Sequence, residues 1–176
     1  MAGAALAINV EIDDREVVAA LRRLQSAGAD MEPVFRTIGE RMLASTRQRF
    51  AAERDPAGRP WAPLADSTIL SRMRRAVRKD KSGQRRLAGK GGGTKSGAIG
   101  ALAGLKILQD RGTLHDTLRY QASASGVEIG TDRIYGATHQ FGRGNIPARP
   151  FLGLSAGDRQ DILAIVRDHL ARALGE

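Results

Sequence analysis

The sequence predicts an α+β fold: a small antiparallel β-sheet packed with two long helices and a C-terminal helix, and carrying a long flexible basic loop. Three observations carry that prediction. Residues 157–174 set Ile162, Ile165, Val166, His169, Leu170 and Ala173 on one face at helical spacing. Residues 30–52 repeat Val34, Phe35, Ile38, Met42 and Phe50 at a similar spacing. Between these two stretches, segments at 118–123 and 127–131 flank Gly126 in the pattern of a hairpin. Helices and strands segregated in this way along a chain define the α+β class.

In chain order, 6–12 comes first. Leu6, Ile8, Val10 and Ile12 alternate with Ala7, Asn9 and Glu11, the pattern of a half-buried strand. With no basic segment ahead of it, this stretch is expected to be a strand rather than a leader. Asp13 or Asp14 caps the helix that follows, Val17, Leu21 and Leu24 form its apolar stripe, and Gly28 stops it. The second helix is expected over 30–52, with Asp30 as cap and Pro33 in its first turn. Its interspersed Arg and Glu residues are expected to face water or a partner. Residues 53–64, ERDPAGRPWAPL, hold three Pro and one Gly and cannot form regular structure. Trp61, the single Trp, is expected to lie flat over the end of a core. A short helix follows over 69–78, started by Asp66, Ser67 and Thr68.

Residues 79–104 are rich in Gly and Lys and poor in large apolar side chains. Such a segment buries too little to offset the entropy of ordering it, so a flexible insertion is expected. LKIL at 105–108 reopens the apolar pattern, GTL at 112–114 is a turn, 135–141 reads as a short helix or turn, and 142–150 as irregular chain. Asp158 and Asp161 near the start of the last helix, and Arg172 near its end, match the helix dipole. The whole chain is expected to form one domain over 1–176.

Composition excludes several chemistries. The absence of Cys removes disulfides and thiolates, and three His without Cys make no structural zinc site. No apolar run approaches the roughly 20 residues of a membrane span, so no membrane contact is expected. The net charge of +9 is local. Ten cations fall within 72–95: Arg72, Arg74, Arg75, Arg78, Lys79, Lys81, Arg85, Arg86, Lys90 and Lys95. Asp80 is the lone acid among them, and 18 residues of each sign are left elsewhere. This cluster would attract phosphate without sequence preference, which makes packaged DNA or an acidic protein surface a candidate contact. It lacks aromatics to stack on bases.

GKGGGTKSG fails as a phosphate loop, because Thr94 rather than Gly precedes Lys95 and no apolar strand leads in. No Ser sits in a G-x-S-x-G elbow. His115 and Asp116, read as strand neighbours, would point apart. His169 reads as a hydrogen-bonded core His. No catalytic residue, cofactor or metal site is therefore expected.

Residues 139–152, HQFGRGNIPARPFL, combine a His, two aromatics, two Gly, two Pro and two Arg. Pro147 and Pro150 fix φ and hold the chain between them extended, while Gly142 and Gly144 allow turns. Arg149 offers a planar fork to carboxylates or carbonyls, and Phe151 and Leu152 are apolar anchors. A stiff arm with a cation and an aromatic suits a protein interface. It equally suits a cap on this chain's own core. Trp61, His139, Gln140, Phe141, Arg149 and Phe151 are the candidate interface or structural residues.

GATHQFGRGNIPARPFLGLS, preceded by VEIGTDRIY, resembles the virion-morphogenesis, or tail-completion, family of tailed bacteriophages and Mu-like prophages. The Pro-Gly-Trp stretch RFAAERDPAGRPWAPLADSTI and the GTL turn are similar to the same family, so the likeness runs from about 49 to 154. The resemblance implies a structural protein at the head-proximal end of the tail, needed for head-tail joining, without enzymatic activity or cofactor. It implies a homo-oligomeric ring, commonly a hexamer, that contacts the tail tube and the neck or connector proteins. The locations implied are the head-tail junction of the virion and, during assembly, the host cytoplasm. The length and charge of the basic loop do not carry over from the family.

Overall fold

The computed structural model describes residues 15–26, 30–79, 85–87 and 104–174. The expected strand at 6–12, the caps Asp13 and Asp14, and the stop at Gly28 lie outside the described residues. The described elements run α1 (Arg15–Ser26), α2 (Glu32–Ala52), α3 (Asp66–Ala76), β1 (Val77–Lys79), β2 (Arg85–Leu87), α4 (Thr113–Asp116), β3 (Arg119–Ser123), β4 (Gly126–Gly130), α5 (Ile134–Phe141) and α6 (Ala156–Leu174). The α+β class holds: six described helices accompany antiparallel strand pairs. No described helix is long and apolar enough to cross a membrane.

The long helix α2 organises the body. Asp30 accepts the Glu32 N–H at 3.1 Å, and Pro33 sits in the first turn, where its missing N–H costs nothing. Val34, Phe35, Ile38 and Met42 then pack with Val17 of α1 and with Ile162 and Val166 of α6 in one apolar cluster. Farther along α2, Phe50 enters a second cluster with Trp61, Leu114, Leu118, Phe151 and Leu152. Ile129 of β4 packs against both clusters.

The β3–β4 hairpin lies on α2. Its register pairs Tyr120 with Ile129 and Ala122 with Val127. The turn is one residue earlier than expected: Ala124 and Ser125 make it, and Gly126 already pairs with Ser123. Gly39 of α2 lets the two elements close, since a Cβ there would come within 2.3 Å of the Tyr120 ring. The Tyr120 hydroxyl donates to Glu40 at 3.2 Å.

The region of the basic insertion differs from expectation where it is described. The helix α3 begins at Asp66 and ends at Ala76, and Val77–Lys79 pairs antiparallel with Arg85–Leu87. Lys79 and 85–87 are thus strand rather than loop. The rest of the expected flexible insertion, 80–84 and 88–103, lies outside the described residues.

Two sequence expectations are corrected. Arg49, expected to face water or a partner, is buried. His115 and Asp116 sit in the helical turn α4, not a strand, and their side chains meet, with Nδ1 and Oδ1 2.9 Å apart. A helical turn places neighbouring side chains roughly 100° apart rather than on opposite faces. His169 is hydrogen-bonded as expected, its Nδ1 donating to the Ile165 carbonyl at 3.0 Å, but it is half-buried rather than in the core.

Candidate functional site

Residues 139–152 form an arm whose two halves differ. The half nearer α6 is held inside the protein by side chains from four places in the chain. From α5, Gln140 Oε1 accepts the N–H groups of Phe151 and Leu152, each at 3.0 Å, and its Nε2 donates to the Leu152 carbonyl at 2.9 Å. One buried amide thus serves the arm as a neighbouring β-strand would. Trp61 Nε1 donates to the Pro150 carbonyl at 2.8 Å. Arg49 Nη1 donates to the Phe151 carbonyl at 3.0 Å. Arg149 reaches back, with Nε donating to the Ala62 carbonyl and Nη2 to the Pro63 carbonyl, both at 2.8 Å.

Aromatic packing fixes the same half. The Phe50 ring meets Trp61 edge-on at 5.4 Å and Phe151 at 5.5 Å. Phe50 and Phe151 are fully buried. Such pairs contribute about 0.5–1.5 kcal/mol each beyond their buried area.

Arg49 also carries the arm's link to α6. Its Nη2 bonds Ser45 Oγ at 3.1 Å and pairs with Asp158. Asp158 Oδ2 in turn accepts the Ser155 N–H at 2.8 Å, and Ser155 Oγ accepts the Asp158 N–H at 3.1 Å. Burial pushes the Asp158 pKa up, but hydrogen bonds from Ser45 and Ser155, with the Arg49 charge, outweigh it and hold the carboxyl below its usual range. Asp158 is therefore more than a partner of the helix dipole. It is both the partner of Ser155 in a reciprocal capping box and the counter-ion of a buried guanidinium.

The other half of the arm faces outward. Gly142 takes φ 78°, and a Cβ there would lie 3.0 Å from the Ala148 nitrogen, so this tight turn requires glycine. Arg143 and Ile146 close a small loop with two backbone hydrogen bonds of 3.0 Å. Ile146 at the tip is 43% exposed, Phe141 at the end of α5 is 64% exposed, and Ile134, seven residues earlier on that helix, is 67% exposed. A spacing of seven puts Ile134 and Phe141 on one helix face, so α5 turns an apolar face to solvent.

The candidate residues from the sequence therefore divide. Trp61, Gln140, Arg149 and Phe151 lie inside the protein's own body, and Phe141 lies outside. His139 lies between: its ring meets Tyr135 edge-on at 6.1 Å, and burial followed by the Arg149 charge pushes its pKa down. Ile134, Tyr135 and Ile146 belong to the exposed group and were not singled out by sequence. They stand singly or as one pair among Gly and polar residues, so no periodicity assigned them a side.

Among the basic candidates, Arg72 is occupied internally. It pairs with Asp110 at 3.2 Å and donates to the Lys106 carbonyl at 2.7 Å. Arg74 and Arg75 lie on α3, while the hairpin sets Arg78 opposite Arg86 and Lys79 opposite Arg85. Lys81, Lys90 and Lys95 lie outside the described residues.

Fold and arm together define a small α+β protein whose most elaborate feature is a braced surface projection. The chain belongs to the phage virion morphogenesis family, whose sequence model matches residues 12–100 and 95–171. It is similar to the putative capsid assembly protein G of Escherichia phage Mu, with 28% identity over 96% of this chain and 97% of that protein. It is similar also to the Mu-like prophage FluMu G protein 2 of Haemophilus influenzae, with 30% identity over 92% of this chain and 95% of that protein. No solved structure matches the chain.

Proposed function

We propose that this chain is a non-enzymatic tail-completion subunit that forms a ring at the head-proximal end of the tail and makes head-tail joining possible. Family membership supports a role in phage particle assembly, and the name of the Mu relative points the same way. The observation that carries the reading is the division of the arm. Trp61, Gln140, Arg149 and Arg49 lock its base, while Ile146 at its tip and Phe141 and Ile134 on α5 are exposed apolar side chains. A rigid apolar projection loses little entropy when it docks. Head-to-tail contacts between copies close into a ring, whose outer faces would meet the tail tube and the neck or connector proteins at the virion's head-tail junction.

Phe141→Asp tests this directly. Phe141 is exposed, so the variant is expected to fold with an unchanged melting temperature. It is also expected to run as a monomer where the parent forms rings visible by negative-stain microscopy. Phage or prophage carrying it should yield tails and filled heads that do not join. Normal rings and normal particle yield in this variant would refute the reading.

A second role is favoured by the β1–β2 register. The register sets position 78 opposite 86 and 79 opposite 85, so four cationic residues of the 72–95 cluster are gathered on one short hairpin, a composition that a phosphate backbone would complement. DNA passing through the neck would supply that backbone. Deleting 79–95 is then expected to abolish DNA retention on filters and to remove a steep salt dependence. Equal retention by the deleted and full-length chains at low salt would end this second role.

A further inference from the structure

A second feature of the arm concerns charge. Arg149 is 6% exposed, yet no carboxylate pairs with it among the described residues; its fork is met by two backbone carbonyls. Those bonds use Nε and Nη2 and leave Nη1 without a partner among the described residues. A buried cation without a counter-ion is costly, and folded proteins normally pair one.

The surroundings sharpen the point. Arg149 lines a half-open cavity of about 400 Å³ between α3, the 108–114 segment and the arm. Arg72 and Arg111 line it too, and among the described residues Asp110 is the only acid in its wall. Asp110 is already held by Arg72 at 3.2 Å. Burial, and after it the charge of Arg72, lower the Arg149 pKa. Leu64 and Leu108 contribute apolar wall, and the exposed Tyr135 and Ile146 stand at its edge. The volume lies within the range of ordinary binding pockets, about 300–1,000 Å³.

We propose that this cavity receives an acidic side chain, flanked by apolar residues, from a neighbouring protein of the particle, and that Arg149 is the residue that pairs with its carboxylate. The planar fork favours a carboxylate held side-on. The apolar wall favours a peptide over a nucleic-acid backbone, whose phosphates lie amid polar sugar. The partner class rests on the assembly reading above, but the site stands on the uncompensated cation.

The test uses the full-length protein and a short fluorescein-labelled peptide alternating Leu and Glu, followed by fluorescence anisotropy. The same peptide with Gln for Glu and a thymidylate oligonucleotide serve as comparisons. The acidic peptide is expected to bind saturably and the Gln peptide at least tenfold more weakly, the scale of losing one partner of a buried charge pair. Arg149→Gln should weaken binding by a similar factor. Because Arg149 also holds the Ala62 and Pro63 carbonyls, Ile146→Glu provides a variant that spares those bonds. Placing a carboxylate at the exposed edge fills the site in cis, and binding should fall while the melting temperature holds or rises.

Unchanged binding in a folded Ile146→Glu variant, or loss only when 79–95 is deleted, would overturn the proposal. So would an oligonucleotide that binds this site more tightly than the peptide. Rings without peptide binding would reject the site alone, and peptide binding without rings would reject the ring alone.

Discussion

Asp158→Ala is expected to destabilise the chain by about 3–5 kcal/mol, the range for removing one partner of a buried ion pair. Asp158 does two jobs at once. It caps the chain entering α6 through Ser155 and neutralises Arg49 beneath the arm. Without it, Arg49 stays buried against the Phe151 carbonyl with only the weaker influence of the Asp55 charge to offset its own. Thermal unfolding followed by circular dichroism should show a fall in Tm of roughly 10 °C for a chain of this size. Replacing both partners, Arg49→Met with Asp158→Leu, should recover much of the loss, because the desolvation cost goes with the charges. Equal loss in the single and double variants would show that packing, not charge, holds the site.

The same carboxylate sets a pH dependence. Its folded-state pKa lies below the ordinary value of about 3.9. The stabilisation is therefore present in full above that value and disappears as pH falls through the lower folded-state pKa. Wild type should lose stability on acidification in this range, and Asp158→Ala should show a flatter profile.

Gln140→Leu is the second large effect. It leaves the N–H groups of Phe151 and Leu152 and the Leu152 carbonyl buried and without their partner. Orphaned buried groups cost about 1–3 kcal/mol each, so a loss of roughly 3 kcal/mol or more is expected. Gln140→Glu should fall between Leu and wild type. Its oxygens can still accept both N–H groups, but the oxygen replacing Nε2 opposes a carbonyl. Urea denaturation ranks the three variants, and a glutamate variant as damaging as the leucine variant would show that the two N–H bonds contribute little.

Much of this frame was legible in the sequence, for identifiable reasons. The helices α2 and α6 announce themselves because their apolar residues recur every three to four positions over about five turns each. The hairpin was legible to within one residue, since Gly126 read as the turn although it pairs with Ser123. Pro and Gly correctly marked 53–64 and 142–150 as irregular. Arg49 was missed because it lies in a run of alternating charge and polar residues, and its partner stands 109 positions away. No local pattern encodes a contact that distant. Asp158 was read only through its place in the helix, which accounts for half its role. His115 and Asp116 were misjudged because the segment was taken as extended, and pairing by neighbours depends wholly on that choice. The arm was recognised as special, but sequence could not divide it into inward and outward halves. Pro and Gly fix backbone shape without saying which side faces water.

The base of the arm is held through its backbone: Gln140, Trp61 and Arg49 all grip main-chain atoms of 150–152. Nothing in that grip reads the side chains at 143–148. Variation can therefore accumulate at the tip while the mount is inherited intact, and a lineage could refit the projection to a new neighbour without redesigning the molecule that carries it.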